Sequence, residues 1–251
     1  MKFGIVGNLT IDVINGDKRP GGGAYYSGLV LSKFGKVVIY TKIGEDYPRK
    51  WLEEIENFAE VVKFKAKSTT KFALHYKNGE RTIKVLSKGE MFSRDELESI
   101  SERNIIINPV ANELSPEDVE IFKKPSLDVQ GFIRELRDKV ELKEIDGSFL
   151  SKAFVVHASL EEYLKIRNPG KPDVFAITNG AKEGRLITRE GELKFKPRPV
   201  STNDPTGAGD CFLALLTYGI LKFGIRDGLE FALRETEKFL SLGLKRYIEL
   251  R

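Results

Sequence analysis

The residues best suited to chemistry lie in one short stretch, residues 204–210, which reads Asp-Pro-Thr-Gly-Ala-Gly-Asp. The following residues, 211–223, are almost continuously apolar, which predicts a buried helix that ends at Gly224. The first amides of a helix have no partner within it and lie at the positive end of its dipole. Because residues 207–209 carry no bulky side chain, an oxyanion could approach those amides closely.

Asp210 falls in the first turn of this predicted helix, beside the anion-binding amides. A carboxylate there can accept a proton from a hydroxyl group while the amides hold the charge that develops on a phosphoryl group. The simpler interpretation is that Asp210 only caps a core helix. Capping does not explain why Gly207, Ala208 and Gly209 lie against the acid. The pattern therefore favours a phosphoryl-transfer site.

Residues 204–210 resemble the C-terminal signature of the PfkB/ribokinase family of carbohydrate kinases. The resemblance implies that Asp210 is the catalytic base and that the amides of Gly207, Ala208 and Gly209 form the anion hole. It also implies ATP-dependent phosphorylation of a hydroxyl on a small sugar, polyol or nucleoside. ATP and Mg²⁺ are the implied cofactors, and a requirement for a monovalent cation is left open.

Two further positions are assigned to the acceptor substrate by the same resemblance. Gly22 and Gly23 open a predicted helix over residues 24–34, where the family's glycine pair lets the backbone approach the sugar. Asp12 lies in the extended segment before them, where the family has an Asp that hydrogen-bonds the sugar hydroxyls. We therefore expect these three residues to bind substrate.

Gln130 and Arg134 are candidates from their spacing alone. They are four residues apart at the opening of a helix predicted over residues 131–140, so both side chains would share one face. An amide and a guanidinium together offer several fixed donors for hydroxyls or a carboxylate. A surface glutamine and an ordinary helix arginine are the alternative. Glu113, just past another predicted strand, is expected to add a further substrate contact.

The nucleotide phosphates are assigned to a glycine-rich turn by resemblance. Thr178, Gly180 and Gly184 follow a predicted strand and look like the family's Thr-x-Gly-x-x-Gly turn, with one residue added before the last glycine. Ser159 and Glu162 lie where the family often has Asn-x-x-Glu, which is associated with Mg²⁺. Since Mg²⁺ keeps several waters, a single carboxylate could hold it through water. A cap at the start of a helix is the alternative role for Glu162.

Several motifs together resemble one branch of the family, the archaeal and plant myo-inositol kinases. They are Gly-Gly-Gly-Ala-Tyr-Tyr at 21–26, Pro-Val-Ala-Asn-Glu-Leu at 109–114, Asp-Val-Gln-Gly-Phe-Ile-Arg at 128–134 and Thr-Asn-Gly at 178–180. The preferred acceptor is therefore myo-inositol. Another sugar, a keto-sugar acid or a nucleoside remains an alternative, as does a non-catalytic sugar-binding protein on the same scaffold.

These candidate residues can form one site only if the fold brings the ends of several strands together. From residue 92 onward predicted strands and helices alternate, which indicates an α/β fold with a mostly parallel central sheet and helices on both faces. Ligands then gather at the carboxyl ends of the strands. The resemblance implies a single ribokinase-like domain over residues 1–251, with a small β lid from about 9–19 and 67–87 that excludes water. An edge hairpin of the main sheet is the alternative for those lid strands.

Composition limits the remaining possibilities. The 251 residues carry 41 basic and 37 acidic side chains, a net charge of +4 that is too slight to indicate a nucleic-acid partner. The single cysteine, Cys211, and the lack of a membrane-length apolar run predict a cytoplasmic protein. His75 and His157 are isolated, so we expect structural roles for them rather than metal binding. A homodimer is left open.

Overall fold

The computed structural model describes residues 1–77, 80–202 and 204–249. Its strands, numbered along the chain, are β1 (Lys2–Val6), β2 (Thr10–Ile14), β3 (Asp17–Gly21), β4 (Lys36–Ile43), β5 (Glu60–Lys65), β6 (Lys71–Lys77), β7 (Glu80–Ser87), β8 (Asn104–Ile107), β9 (Ser126–Asp128), β10 (Arg134–Leu136), β11 (Val140–Leu142), β12 (Ile145–Asp146), β13 (Val155–Ser159), β14 (Ile166–Arg167), β15 (Val174–Thr178), β16 (Gly184–Thr188) and β17 (Gly191–Phe195). The α-helices are α1 (Gly23–Leu31), α2 (Arg49–Glu56), α3 (Arg94–Glu98), α4 (Gln130–Ile133), α5 (Leu160–Tyr163), α6 (Ala208–Phe223) and α7 (Ile225–Glu249), and short 3₁₀ helices span Pro116–Ile121 and Ser148–Lys152.

The central sheet contains nine strands of the described chain, in the order β17-β16-β15-β13-β9-β8-β1-β4-β5. From β15 to β5 each neighbouring pair is parallel. Strands β16 and β17 add an antiparallel hairpin at one edge. Parallel strands are covered on both faces, which explains the unbroken apolar run of Ile105, Ile106 and Ile107 in β8. The predicted α/β architecture with a mostly parallel sheet is confirmed.

Helices cover both faces of this sheet, because neighbouring side chains of β1 belong to two different core clusters. Ile5 belongs to the cluster packed under α1, α6 and α7, whereas the next residue, Val6, belongs to the cluster packed under α3, α4 and the 3₁₀ helices. Helix α6 is buried from Cys211 to Thr217. Although α6 is apolar, among the described residues no helix has the length and hydropathy needed to cross a bilayer.

A separate four-stranded sheet in the order β3-β2-β6-β7, here called the lid sheet, stands apart from the central sheet. Asn15 and Gly16, both at positive φ, make the turn between β2 and β3. Phe72 and Leu74 on β6 pack against Val110 and Ala111, which follow β8. The strands thus cover the carboxyl-end side of the central sheet. The sequence Lys-Asn-Gly-Glu at 77–80 predicts a further hairpin turn, but residues 78 and 79 lie outside the described residues.

The predicted helix over residues 131–140 is wrong beyond its first turn. Helix α4 ends at Ile133, and the chain then forms the antiparallel pair β10 and β11. The Asn112 side chain donates to the carbonyl oxygens of Gly131, at 2.6 Å, and Arg134, at 2.9 Å. These bonds take carbonyl groups that a longer helix would need. A tertiary contact therefore ends the helix early.

The sequence of residues 160–167 also predicts a helix, and the structure shortens it. Helix α5 ends at Tyr163, and Ile166–Arg167 then pairs in parallel with Ile145–Asp146. This small two-stranded sheet competes with continuation of the helix because its strands use the backbone groups that a helix would use internally.

Candidate active site

At the start of α6, mainly backbone atoms face outward. Gly207 is the N-cap, with a φ of 83°, and a Cβ there would overlap the Tyr26 ring. A Cβ on Gly209 would lie 2.9 Å from Cε1 of His157. Glycine is therefore needed at both positions. Since Gly207 forms no side-chain cap bond, the helix start presents its amides and positive dipole end to an anion.

Asp210 is the third residue of α6 and is partly exposed. Its Oδ1 accepts a hydrogen bond from Nε2 of Gln130 at 2.7 Å. Burial by the surrounding protein, together with the charge of Asp128, raises the pKa of Asp210 to about 6. The charges of Arg134 and His157 act in the opposite direction and keep the pKa from rising further. The group is therefore ionised at neutral pH, with a pKa suited to accepting a proton.

A small cavity of about 50 Å³ lies in front of Asp210, and we call it the lid cavity because the lid sheet forms one wall. Polar side chains converge on it from four parts of the chain, and the lid contributes apolar ones. The lining residues are Thr10, Asp12, Gly22, Gly23, Tyr26, Phe72, Leu74, Ile83, Val110, Gln130, Arg134, Thr206, Gly207 and Asp210. The structure thus brings Asp12, Gly22, Gly23, Gln130 and Arg134 together around Asp210.

The polar residues of the lid cavity are held by neighbours on rigid elements. Asp12 accepts a hydrogen bond from the Thr10 hydroxyl at 2.7 Å, and Arg134 donates from Nη1 to the Val110 carbonyl at 3.0 Å. Arg134 follows α4 in an extended conformation, so it does not share a helix face with Gln130 as the spacing predicted. The two side chains reach the same cavity because the chain turns between them.

A buried amide ties Asp210 to the neighbouring helix and strand. Asn108, which is fully buried after β8, donates from Nδ2 to the Ser27 hydroxyl at 2.8 Å, and that hydroxyl donates to the Asp210 carbonyl at 3.0 Å. Gln130 also donates to Oδ1 of Asn108 at 3.3 Å. A Cβ on Gly23 would overlap the Asn108 side chain. The glycine at the start of α1 therefore makes room for the network that holds Asp210.

A second cavity of about 240 Å³ lies on the other side of the α6 start, and we call it the α7 cavity. One end is formed by the helix start and a glycine turn, and the other end is largely apolar. Its lining residues are Thr178, Gly180, Ala181, Phe195, Pro197, Arg198, Val200, Thr202, Pro205, Ala208, Gly209, Phe212, Leu233, Thr236, Glu237 and Leu240. Thr178 and Gly180 therefore meet Gly209 at one cavity, as the sequence led us to expect of a phosphate-binding turn.

Asp128 and His157 form a buried pair between the two cavities. The carboxylate Oδ2 lies 2.6 Å from His157 Nδ1, and His157 Nε2 lies 3.0 Å from the Thr178 hydroxyl. Burial alone would lower the pKa of His157, but the charge and hydrogen bond of Asp128 outweigh it and the pKa is raised. His157 thus occupies the site, although its isolation in the sequence indicated a merely structural role.

An ion pair joins the lid sheet to the segment before α6. Arg19, on β3, contacts Asp204 through Nη1 and Oδ2. Asp204 also accepts a hydrogen bond from the Thr206 amide at 3.1 Å. Although burial would raise the pKa of Asp204, these partners lower it. The pair fixes one edge of the lid sheet against the anion-binding segment.

Glu113 is not where a substrate contact would be. It is 1% exposed and accepts hydrogen bonds from the amides of Asn8, Val110 and Ala111, at 2.6–3.0 Å. Burial raises its pKa, and these backbone bonds oppose that rise. Glu113 does not line either cavity. The expectation of a direct substrate contact is corrected: the carboxylate organises the backbone that carries Val110.

The prediction that Gly184 belongs to the phosphate-binding turn is also wrong. It is the first residue of β16 and pairs with Phe195 in the hairpin with β17. A Cβ there would lie 2.5 Å from Cζ of Phe195 and 2.7 Å from the Ile177 carbonyl oxygen. The residue added before Gly184 thus moves it out of the phosphate turn and into the sheet, where packing explains the glycine.

Glu162 forms a capping box at the start of α5. Its Oε2 accepts from the amide and hydroxyl of Ser159, both at 2.8 Å, and its own amide donates to the Ser159 hydroxyl at 3.2 Å. It lines neither the lid cavity nor the α7 cavity. Among the described residues, no group of three or more His, Cys, Asp or Glu side chains could hold a metal ion. The donor set does not fit a resident Mg²⁺ on Glu162.

Comparison with known proteins tests this resemblance. The model for the pfkB family of carbohydrate kinases matches residues 139–234, a segment that contains Thr178 and the whole of α6 with Asp210. The match covers less than half of the 251 residues. Over this segment, the resemblance inferred from residues 204–210 is confirmed.

A sugar kinase of Pyrococcus horikoshii is a relative of this chain by sequence. The two are 40% identical over 86 residues, which are 33% of this chain. The matched segment spans only 28% of the length of that relative. Sequence similarity therefore reaches less than a third of the relative, and its activity is not thereby transferred to this chain.

Solved structures show the fold over nearly the whole chain. A pyrophosphate-dependent kinase in the ribokinase family, complexed with a pyrophosphate analog and myo-inositol, has a TM-score of 0.85 at 20% identity, over 99% of both chains. The P. horikoshii sugar kinase in complex with ATP has a TM-score of 0.74 at 23% identity, over 98% of this chain and 94% of that one. Ribokinase from Thermotoga maritima has a TM-score of 0.73 at 14% identity, over 99% and 98%. The ribokinase-like fold is confirmed.

Three polar residues of this site were not singled out as candidates by the sequence analysis, although the sequence carries one signal for them. Asn108, Asp128 and His157 are polar residues at or near the carboxyl ends of buried strands. A buried polar residue needs a hydrogen-bond partner, and the carboxyl ends of parallel strands are where ligands gather. The three positions could have been candidates on that ground, although their partners could not.

Proposed function

We propose that this protein transfers the terminal phosphoryl group of a nucleotide to a hydroxyl group of a compact sugar or cyclic polyol. The observation that carries the proposal is the position of Asp210. Its carboxylate opens to the lid cavity, while Gly209, one residue earlier on the same helix turn, lines the α7 cavity. A proton acceptor and an anion-binding helix start thus lie side by side between two cavities, as transfer from a donor to an acceptor requires.

The proposed chemistry uses this chain's own residues at each atom. Asp210 accepts the hydroxyl proton as the acceptor oxygen forms its bond to the terminal phosphorus and the bridging bond of the donor breaks. The leaving phosphate keeps the electron pair of that bond. The amides at the start of α6 balance the charge on the transferring group. Gln130 holds Asp210 in place, and the lid sheet limits the access of water, which would compete as acceptor.

We propose myo-inositol as the first acceptor to test. The lid cavity presents Asp12, Gln130 and Arg134, which offer both acceptors and donors to a ring of hydroxyl groups. The related kinase complexed with myo-inositol supports this choice. Another sugar, a keto-sugar acid or a nucleoside is the alternative acceptor.

ATP is the proposed donor. Phe195, Leu233 and Leu240 form an apolar end of the α7 cavity, beyond the helix start that would hold phosphates. Apolar walls suit a nucleotide base, whereas pyrophosphate has nothing to place there. Pyrophosphate is the second candidate donor because a relative of high structural similarity uses it. Mg²⁺ enters the proposal only as the ion that accompanies nucleotide phosphates, since Glu162 does not fit as its ligand.

One screen tests these points together. The purified chain is incubated with ATP or pyrophosphate and with myo-inositol, ribose, ketohexoses, sugar acids and nucleosides in turn, and phosphorylated products are identified by ³¹P NMR. We expect transfer from ATP to a cyclic polyol or sugar. Binding of an acceptor by calorimetry without any transfer would instead favour the non-catalytic sugar-binding alternative. The cytoplasmic location and the homodimer remain predictions.

A further inference from the structure

A continuous hydrogen-bonded chain runs from one cavity to the other beneath the start of α6. The backbone amide of Gln130 donates to Asp128 Oδ1 at 2.8 Å, and Asp128 Oδ2 lies 2.6 Å from His157 Nδ1. His157 Nε2 lies 3.0 Å from the Thr178 hydroxyl, which lines the α7 cavity. Asp128 and His157 are 2% and 4% exposed. The role assigned to Asp210 does not account for this buried pair.

The hydrogen on Nδ1 of His157 follows from its partner. Asp128 already accepts a hydrogen bond from the backbone amide of Gln130. Because a carboxylate has only acceptor positions, His157 donates to Asp128 from Nδ1. The other ring nitrogen, Nε2, is then an acceptor in the neutral ring and a donor in the imidazolium. The protonation state of Nε2 therefore decides whether the Thr178 hydroxyl can donate a hydrogen bond to a ligand.

The charged groups that face His157 are acidic. Asp128 lies at the end of β9, Glu162 on α5 and Asp210 on α6, and each favours the imidazolium. Phe212 on α6 contributes an aromatic ring, with its centroid 5.9 Å from that of His157. Burial opposes the charged form, but the three carboxylates outweigh it. When the ring is protonated, Nε2 donates to the Thr178 hydroxyl, and the hydroxyl hydrogen of Thr178 then points elsewhere.

We infer that His157, held by Asp128, is a positioning residue of the donor site that turns the Thr178 hydroxyl into a hydrogen-bond donor for the phosphate of the bound donor. The inference rests on the proposed function for the identity of that phosphate. The geometry supports it in a second way, because His157 lies directly beneath Gly209, where its positive charge adds to that of the helix start. Thr178, Gly180 and Gly209 then form one phosphate-binding surface of the α7 cavity.

Two substitutions, one at each end of the hydrogen bond between His157 and Thr178, test the inference. His157→Asn places an amide near the position of Nδ1, so Asp128 keeps a donor while Thr178 loses one. Thr178→Val removes the hydroxyl at nearly constant volume. By calorimetry we expect each variant to bind a non-hydrolysable ATP analogue about 10- to 100-fold more weakly, the range for a lost hydrogen bond to a charged group. Binding of the acceptor should not change.

The double variant gives the sharper test. Because the inference makes His157 act through Thr178, His157→Asn combined with Thr178→Val should weaken analogue binding no more than Thr178→Val alone. Thr178→Ser keeps a hydroxyl and should restore most of the affinity. Fully additive losses would overturn the inference, as would wild-type analogue affinity in a folded His157→Asn variant. His157→Gln, which leaves the buried Asp128 without its donor, should unfold more readily than His157→Asn.

NMR reports the protonation state directly. The chain has two histidines, and His75, exposed on the lid sheet, can be replaced by His75→Gln so that His157 alone gives imidazole signals. Imidazole ¹⁵N shifts should show both ring nitrogens protonated at pH 7, with the Nε2 signal moving when the ATP analogue binds. A neutral ring protonated only at Nδ1 would overturn the inference.

The outcomes also separate this inference from the proposed function. Loss of analogue binding in His157→Asn, in a protein that phosphorylates no acceptor, would contradict the kinase proposal and leave the donor-site geometry supported. Normal phosphoryl transfer with unchanged donor affinity in His157→Asn would support the kinase proposal and overturn the role of His157.

Discussion

The lid cavity and the α7 cavity share the start of α6 but differ in the residues that line them. Charged and amide side chains line the lid cavity, among them Asp12, Arg134 and Asp210. The α7 cavity has backbone amides and a glycine turn at one end and apolar side chains at the other. At the helix start itself, the lid-cavity side thus carries a titratable carboxylate, Asp210, whereas the α7-cavity side carries the backbone of Ala208 and Gly209.

This difference matches what each side has to do. A hydroxyl acceptor must lose a proton, which requires a titratable group, and recognition of its other hydroxyls requires side chains in fixed positions. A phosphate must only be held and its charge balanced, which fixed amides do without reorganising. Substitutions on the two sides should therefore change different kinetic constants.

The largest effect is expected for Asp210→Asn. The variant keeps the shape of the site and a hydrogen-bond acceptor for Gln130, but it cannot take the hydroxyl proton. We expect kcat to fall by about 100- to 10,000-fold, the range for loss of general-base catalysis, while donor binding persists. Asp227→Asn is the matched control because Asp227 is also in a first helical turn but is exposed and lines neither cavity. Near-normal turnover in Asp210→Asn would remove Asp210 as the base.

The same variant has a predicted stability effect with a defined sign. The pKa of Asp210 is raised from 3.8 to about 6, so the folded chain holds this proton more tightly than the unfolded chain. The resulting stabilisation is present below about pH 4 and is lost as the pH rises through about 6. Asp210→Asn should therefore be more stable than the wild type at pH 7, by about 1–3 kcal/mol, measured by thermal unfolding. In the wild type, kcat should rise with pH through about 6.

A substitution on the opposite side of the helix start should affect the donor. Gly209→Ala adds a methyl group 2.9 Å from Cε1 of His157, which hydrogen bonds to Asp128 and Thr178 prevent from moving away. We expect the KM for the donor to rise by about 10- to 100-fold, with the acceptor KM within about twofold of wild type.

Gly224→Ala, at the other end of α6, is the control for that substitution. Gly224 also needs its positive φ of 83°, but no atom lies within 4 Å of a Cβ there. It should destabilise the protein by about 1 kcal/mol without changing the donor KM. A rise in acceptor KM alone in Gly209→Ala would contradict the assignment of the α7 cavity to the donor.

Gln130→Ala is expected to have a smaller effect, confined to the lid cavity. Gln130 donates to the ionised form of Asp210 at 2.7 Å, so its loss should raise the pKa of Asp210 and move the rise of kcat to higher pH. The acceptor KM should increase by about tenfold while the donor KM stays constant. Gln130→Glu adds a negative charge and should shift the pH profile further. An unchanged profile in both variants would show that Gln130 does not act on Asp210.

The start of α6 could be predicted because its signals are local. The glycines at 207 and 209, the acid at 210 and the apolar run after it lie within one short stretch, and the helix does begin at Ala208 and end before Gly224. The ends of the parallel strands were predictable for the same reason. Thr178, the last residue of β15, was therefore placed near the site before any tertiary information, whereas Asp12, in the middle of the lid strand β2, was assigned by resemblance.

The Asp128–His157 pair could not be predicted, because it depends on strand order. The residues are 29 positions apart and become neighbours only because β9 pairs with β13 in a register that sets them side by side. Likewise, helix 131–140 failed because of Asn112, a side chain from a distant loop. Periodicity describes one segment at a time and carries no information about such partners.

The smallest effect is expected at Glu162, where the sequence pattern allowed either a cap or a metal ligand. The structure places its carboxylate in a capping box with Ser159. Glutamine can fill the same position in a capping box, so Glu162→Gln should unfold at nearly the wild-type temperature, whereas Glu162→Ala should lose about 1 kcal/mol of stability. Neither should change the Mg²⁺ concentration needed for half-maximal activity, because Glu162 lines neither cavity. If Glu162→Gln keeps its stability but needs several times more Mg²⁺, the carboxylate charge acts on the ion, and the divided roles of the two cavities must be extended to include α5.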